Sequence, residues 1–164
     1  MNALQLAPEV EPALRAHGER EYPFEACGFL VGPAAAAAPR GPRLILRALP
    51  ATNAQEGPRE RRFLIRPDEV RRLEASLEAS GEAILGFYHS HPDHPARPSL
   101  VDAEHAWPWY AYVVLRVNRN GSAEMGAFEL DPERRRFEPL TIEPHDSPVR
   151  PPTKRSGEGR RSIL

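Results

Sequence analysis

Two histidines stand two residues apart in the run His89-Ser90-His91-Pro92. On an extended segment side chains alternate, so both imidazoles project to one side with Cα atoms roughly 6.5–7 Å apart. At that separation two ring nitrogens can lean onto one metal ion with the bonds of about 2.0–2.1 Å that zinc requires. A His-x-His pair alone does not specify a metal, and a catalytic zinc normally takes a third protein ligand and keeps one position open for water. Asp102 is the natural third candidate, because the loop punctuated by Pro92, Pro95 and Pro98 can fold back and present the first turn of the next helix to the strand end. His94 in that loop and His105, one turn beyond Asp102, could take its place. Ser99-Leu100-Val101-Asp102 also has the form of a helix-capping box, in which Ser99 accepts from a backbone N–H and an acid occupies the third helical position. Spacing leaves ligation and capping by Asp102 as equals, and one carboxylate can hardly serve both fully. His17 and His145 read as ordinary surface or helix-face residues.

These residues need a rigid mount. The apolar run from Ala83 to His89 predicts a buried strand leading straight into the histidine pair, with a short helix from Ser99 to about Ala106 behind the proline loop. Upstream, a helix is expected over Pro8–Arg20, with Val10, Leu14 and His17 on one face, ended by Tyr22-Pro23. Cys27–Gly32 reads as a short buried strand, Pro33–Pro42 as a loop, and Leu44–Leu49 and Phe63–Ile65 as further strands separated by the polar loop Thr52–Arg62. Asp68–Ser80 has the clearest helical pattern, with Val70, Leu73 and Leu77 on one face, acids at its start and Gly81 after its end. Tyr110–Val117 is a β-branched strand, Asn120-Gly121 a hairpin turn into a strand ending near Leu130, and Arg136–Ile142 one more strand.

The chain has 164 residues, of which 40 % are apolar and 27 % charged, the balance of one soluble globular domain. Lys and Arg number 22 against 23 Asp and Glu, and this lack of a basic excess speaks against a dedicated nucleic-acid binder. One cysteine, Cys27, excludes an internal disulfide framework and a cysteine-only zinc site. No apolar run approaches the ~20 residues that span a bilayer, and the first ten residues lack the basic start and apolar stretch of a secretory signal, so a cytoplasmic protein is expected. His-Glu-x-x-His, the Cys-x-x-Cys of zinc deaminases, a glycine-rich phosphate loop and a Gly-x-Ser-x-Gly elbow are all absent. From Glu143 the chain turns proline- and arginine-rich and lacks the apolar content to fold by itself, which divides it into a domain over 1–142 and a tail over 143–164 expected to be disordered.

His89-Ser90-His91-Pro92, six residues, then Ser99-Leu100-Val101-Asp102 resembles the JAMM (MPN+) metalloprotease motif, His-x-His-Pro-x6-Ser-x2-Asp, without departure. The family's upstream glutamate before a small, apolar strand is matched by Glu25 in Pro23-Phe24-Glu25-Ala26-Cys27-Gly28-Phe29-Leu30-Val31-Gly32. Asn53 and the stretch Arg62-Phe63-Leu64-Ile65-Arg66-Pro67 are similar too, so the likeness spans about residues 1–142. The resemblance implies an α/β fold of mixed α+β kind, the JAB/MPN type, with a cytidine-deaminase-like mixed β-sheet flanked by helices. It implies His89, His91 and Asp102 as zinc ligands, Glu25 as general base, and Ser99 as hydrogen-bond donor to the oxyanion or the zinc-bound water. Cys27 is then a small buried apolar residue.

The activity that the resemblance implies is that of a zinc metallopeptidase. The chain looks like the free-standing bacterial members, which act on small ubiquitin-like sulfur-carrier proteins, at the amide bond after a C-terminal glycine. A Gly-Gly tail adding a strand to a sheet edge would be the partner, with a homodimer left open and neither nucleic acid nor membrane involved. The rival readings are a zinc hydrolase of a small-molecule amide and a non-catalytic MPN scaffold, whose members lose the ligands that are all present here. A DNA-repair-associated relative with a similar motif is disfavoured by the Glu25 segment and the near-neutral charge.

Overall fold

A computed structural model describes residues 2–37, 41–131, 133 and 136–146. Eight strands form one mixed sheet with three α-helices against it, the architecture the resemblance implied. In chain order the elements are β1 (Ala3–Leu6), α1 (Val10–Glu21), β2 (Cys27–Pro33), a 3-10 turn (Ala34–Ala37), β3 (Arg43–Ile45) and β4 (Arg47–Ala51). Next come α2 (Pro67–Glu78), β5 (Glu82–Pro92), α3 (Leu100–His105), β6 (Ala111–Asn118), β7 (Gly121–Asp131) and β8 (Arg136–Pro144).

The strand order is β3-β1-β8-β7-β6-β5-β2-β4. β3 and β4 stand at opposite ends of it, yet only Leu46 separates them in the chain, and its N–H donates to the Val31 carbonyl at 2.8 Å. The sheet therefore curls until its two ends nearly meet. The concave side holds Leu4, Leu14, Leu30, Ile45, Leu85, Tyr88 and Val113 in one buried cluster with α1. On the other side Phe29, Val31, Leu77 and Ile84 form a second cluster, with Val70 and Leu73 of α2 and Phe87 packed against it. The two longer helices lie where their apolar stripes require: Val10, Leu14 and His17 are buried in α1, and Leu77 in α2.

Several sequence expectations change. The strand expected over Leu44–Leu49 is two strands at opposite ends of the sheet. Pattern within one run cannot reveal this, because the pairing partners, β1 for one half and β2 for the other, are distant in sequence. Phe63–Ile65 is not a strand; the Asn53 Oδ1 accepts from Leu64 N at 3.2 Å and holds the segment as a loop. β1 is absent from the sequence expectations, because four residues are too short for an alternation to register and parallel pairing with β3 and β8 is what creates it. Part of the loop expected over Pro33–Pro42 is the 3-10 turn Ala34–Ala37. The strand expected over Ala83–His89 continues to Pro92, so both histidines sit on one rigid strand. The last strand runs two residues past Ile142 to Pro144, where it pairs with Leu6. The remainder of the Pro/Arg-rich tail, 147–164, lies outside the described residues.

Candidate metal centre

The site forms at the C-terminal end of β5. His89 and His91 alternate onto the face that carries Phe87, and both are buried. Their Nε2 atoms lie 3.0 Å apart, and the Asp102 Oδ2 is 3.2 Å from His89 Nε2 and 3.5 Å from His91 Nε2. Four ligands at about 2.0–2.1 Å in a tetrahedron have edges of about 3.3–3.4 Å, so the three atoms already trace one face of such a polyhedron. His91 Nδ1 lies 2.8 Å from the Pro95 carbonyl; the ring must donate there, which leaves the Nε2 lone pair aimed inward. Two imidazole nitrogens crowded against one carboxylate oxygen are hard to satisfy by hydrogen bonds alone, and a cation among them resolves the arrangement. The residues fit a metal ion.

Asp102 closes the helix cap and faces the histidine pair at the same time, so the two roles that its spacing had set in opposition do not compete for its position. Its backbone N–H donates to Ser99 Oγ at 3.1 Å, and its Oδ2 accepts from Ser99 N at 2.7 Å, a complete capping box at the start of α3. The same Oδ2 faces the histidines. A carboxylate oxygen has more than one lone pair, so the cap leaves this atom able to accept from, or to join, a partner on the histidine side. His105 is exposed on the outer side of α3 and, among the described residues, joins no cluster of metal-ligating atoms.

Glu25 arrives from the segment before β2. It is only 3 % exposed, and one ligand atom each of Glu25, His91 and His94 lie within 4.8 Å of one another. Ser90, on the opposite side of the strand from the histidines, ties this segment to β5: its Oγ accepts from Ala26 N at 2.8 Å, and its own N–H donates to the Ala26 carbonyl at 2.9 Å. Asn53 Nδ2 donates to the carbonyls of Glu25 and Arg62, each at 3.2 Å, and so couples the Glu25 backbone to the loop that brings Phe63 onto His89, ring centroids 4.6 Å apart. The contacts of Ser90 and Phe63 are not legible in the sequence, since a serine between two histidines and a single apolar ring carry no signal of partners far along the chain. His17 is a helix-face residue as expected, but buried, with Nδ1 2.8 Å from the Tyr88 hydroxyl. Cys27 is fully buried and its thiol is pushed up to about 12, chiefly by burial, which leaves it inert at neutral pH.

Burial also dominates the electrostatics of the site. It raises the Glu25 carboxyl to about 8, with the Asp102 charge adding to the rise and His91 opposing it. For Asp102 burial pushes up, but hydrogen bonding and charge from His89 and His91, with the Ser99 N–H, hold it well below the carboxylate range. Burial lowers His89, keeping the ring neutral and its lone pair available.

A family model described as prokaryotic homologs of the JAB domain matches residues 8–131. The chain belongs to the prokaryotic JAB-domain family. This is a generally metal-dependent family, and the free-standing bacterial JAMM/MPN type that the motif resembled. A desampylase of Haloferax volcanii is 32 % identical over 116 residues, 68 % of this chain and 78 % of that protein. The CysO-cysteine peptidase of Mycobacterium tuberculosis is 32 % identical over 117 residues, 71 % of this chain and 75 % of its own length. A protein of Desulfitobacterium hafniense, known by its solution structure, superimposes with a TM-score of 0.72 at 25 % identity, covering 88 % of this chain and 94 % of that one. No helix among the described residues is long and apolar enough to cross a membrane.

Proposed function

We propose that this chain is a zinc-dependent (iso)peptidase that hydrolyses the amide bond after the C-terminal glycine of a ubiquitin-like sulfur-carrier protein. The observation that carries the proposal is the convergence of His89 Nε2, His91 Nε2 and Asp102 Oδ2 at separations of 3.0–3.5 Å, with buried Glu25 beside them. The peptidase names of two relatives that share two thirds or more of this chain support it. His89, His91 and Asp102 would hold the zinc, which when bound lowers the pKa of water from 15.7 to about 7 and polarises a carbonyl as a Lewis acid.

Glu25 takes the proton of the attacking water and returns it to the leaving amine nitrogen. Burial raises this carboxyl to about 8 in the metal-free protein, and a cation beside it would bring it back down toward neutrality, where a group can accept and give up a proton within one turnover. Ser99 Oγ uses a lone pair to accept from Asp102 N, so its O–H remains free to donate to the oxygen of the carbonyl under attack. Losing one such donor costs about 3–4 kcal/mol in comparable sites. A Gly-Gly end suits the substrate, because glycines allow the backbone to pass close to the ligands, and β4 at the end of the strand order offers an edge for an added strand.

The test is mass spectrometry of a small carrier protein with an extension after its Gly-Gly end, incubated with the zinc-loaded protein. Release of the extension is expected, and Glu25→Gln should keep its zinc while turnover drops by on the order of 10²–10⁴. Undiminished cleavage by Glu25→Gln removes Glu25 as the base; intact carrier after incubation with the zinc-loaded wild type refutes the peptidase.

A further inference from the structure

The loop after the histidine strand folds a third histidine back over the site. Asp93 has φ +59°, in the left-handed region, and this turn is held by its N–H donating to the Val117 carbonyl at 2.8 Å and by the Tyr22 hydroxyl donating to its Oδ2 at 2.7 Å. The next residue, His94, is thereby laid on His91, with ring centroids 4.2 Å apart and planes inclined by 24°. Its Nδ1 lies 2.6 Å from the Pro92 carbonyl, so this nitrogen carries the ring proton and the Nε2 lone pair is unused. Glu25, nine-tenths buried and more, faces the same space, and among the described residues no group donates a hydrogen bond to its carboxylate. A carboxylate that receives no hydrogen bond from a described protein group and an imidazole with a free lone pair, with a ligand atom of each residue within 4.8 Å of one on the other, are a half-built metal site.

We propose that Glu25 and His94 form a second divalent-cation site beside the first, and that its occupation by excess zinc inhibits the enzyme by capturing the base. The inhibition rests on the peptidase reading; the binding does not. His91 cannot complete this second site, since its Nε2 faces His89 and Asp102 and its Nδ1 donates to Pro95. Two protein ligands against three make the second site the weaker one, filled only after the first. Because Glu25 cannot hold a cation and take a proton from water with the same lone pairs, filling this site stops proton transfer without disturbing His89 or Asp102.

The test loads the full-length protein with one zinc per chain and then titrates zinc alone by equilibrium dialysis with metal analysis, in parallel with amide hydrolysis. Wild type is expected to rise from one to two zinc per chain, and hydrolysis to fall as the second binds. His94→Ala should retain the first zinc, which also shows that it folds, and lose the second. The zinc concentration that halves its own uninhibited rate should rise by at least about 10–100-fold, the loss that removing even an outer-shell partner of a metal causes. Glu25→Gln, read by binding only, should likewise hold one zinc. A wild type that stops at one zinc, or a His94→Ala protein that takes up the second zinc as wild type does, overturns the proposal. If two zincs bind as described and no substrate is cleaved, the site stands and the peptidase reading fails.

Discussion

Replacing Glu25 by glutamine is expected to stabilise the metal-free protein, by an amount that grows with pH. The Glu25 carboxyl is 3 % exposed, and burial first, with the nearby Asp102 charge, raises its pKa from 4.5 to about 8 against the pull of His91. In the unfolded chain the same group ionises near 4.5. Below that pH both states hold the proton and nothing is lost. Between 4.5 and about 8 the folded protein keeps a proton that the unfolded chain has released, so stability falls as pH rises, by about 1.4 kcal/mol per unit. The accumulated cost is on the order of 3 kcal/mol at pH 7 and levels off at roughly 4–5 kcal/mol above pH 8. Glutamine has nearly the same shape and never ionises, so it escapes this cost. Urea unfolding of both proteins with a chelator present, at pH 4.5, 7 and 8.5, measures the difference directly. Asp102, held well below the carboxylate range, stays ionised in both folded proteins, so its own titration cancels and only its push on Glu25 enters the difference. A bound cation should shrink the gap, since positive charge beside Glu25 favours the carboxylate. A difference that stays constant across this pH range would refute the burial argument.

Four further substitutions separate the roles of neighbouring residues. Asp102→Asn keeps an acceptor for the helix cap but loses the charge, so metal analysis should find the zinc gone; Ser99→Ala should keep zinc and lose about 1 kcal/mol of thermal or urea stability with the cap. Ser90→Ala leaves the buried Ala26 N–H without its acceptor, which should cost about 1–3 kcal/mol and lower turnover through Glu25 while zinc affinity is unchanged. At Gly86, where β5 lies against β6, a methyl group would run into the Ala111 carbonyl. Gly86→Ala should therefore destabilise by about 1–3 kcal/mol or more on unfolding, by forcing apart the two strands on which the histidines depend.

The sequence by itself determined what is local. The spacing of His89 and His91 put both rings on one side of a strand, the stripe of Val70, Leu73 and Leu77 fixed α2 to within a residue or two, and Asn120-Gly121 marked the β6–β7 turn. The motif also named Asp102 and Glu25, although spacing alone could choose neither Glu25 among 23 acidic residues nor ligation over capping. Those choices belong to tertiary structure, because they depend on atoms brought together from far along the chain. Asp102 serves as cap and ligand-facing group at once only because α3 docks with one oxygen directed at β5. Glu25 is raised to about 8 only because the fold buries it, with Ser90 and Asn53 tethering the backbone of its segment, and His94 turns inward after a turn at Asp93 that Val117 and Tyr22 hold. Likewise β3 and β4 read as one run and divide between the two ends of a curled sheet. Periodicity records which face of an element is apolar; partners, burial and the shifts that burial causes exist only once the sheet has closed.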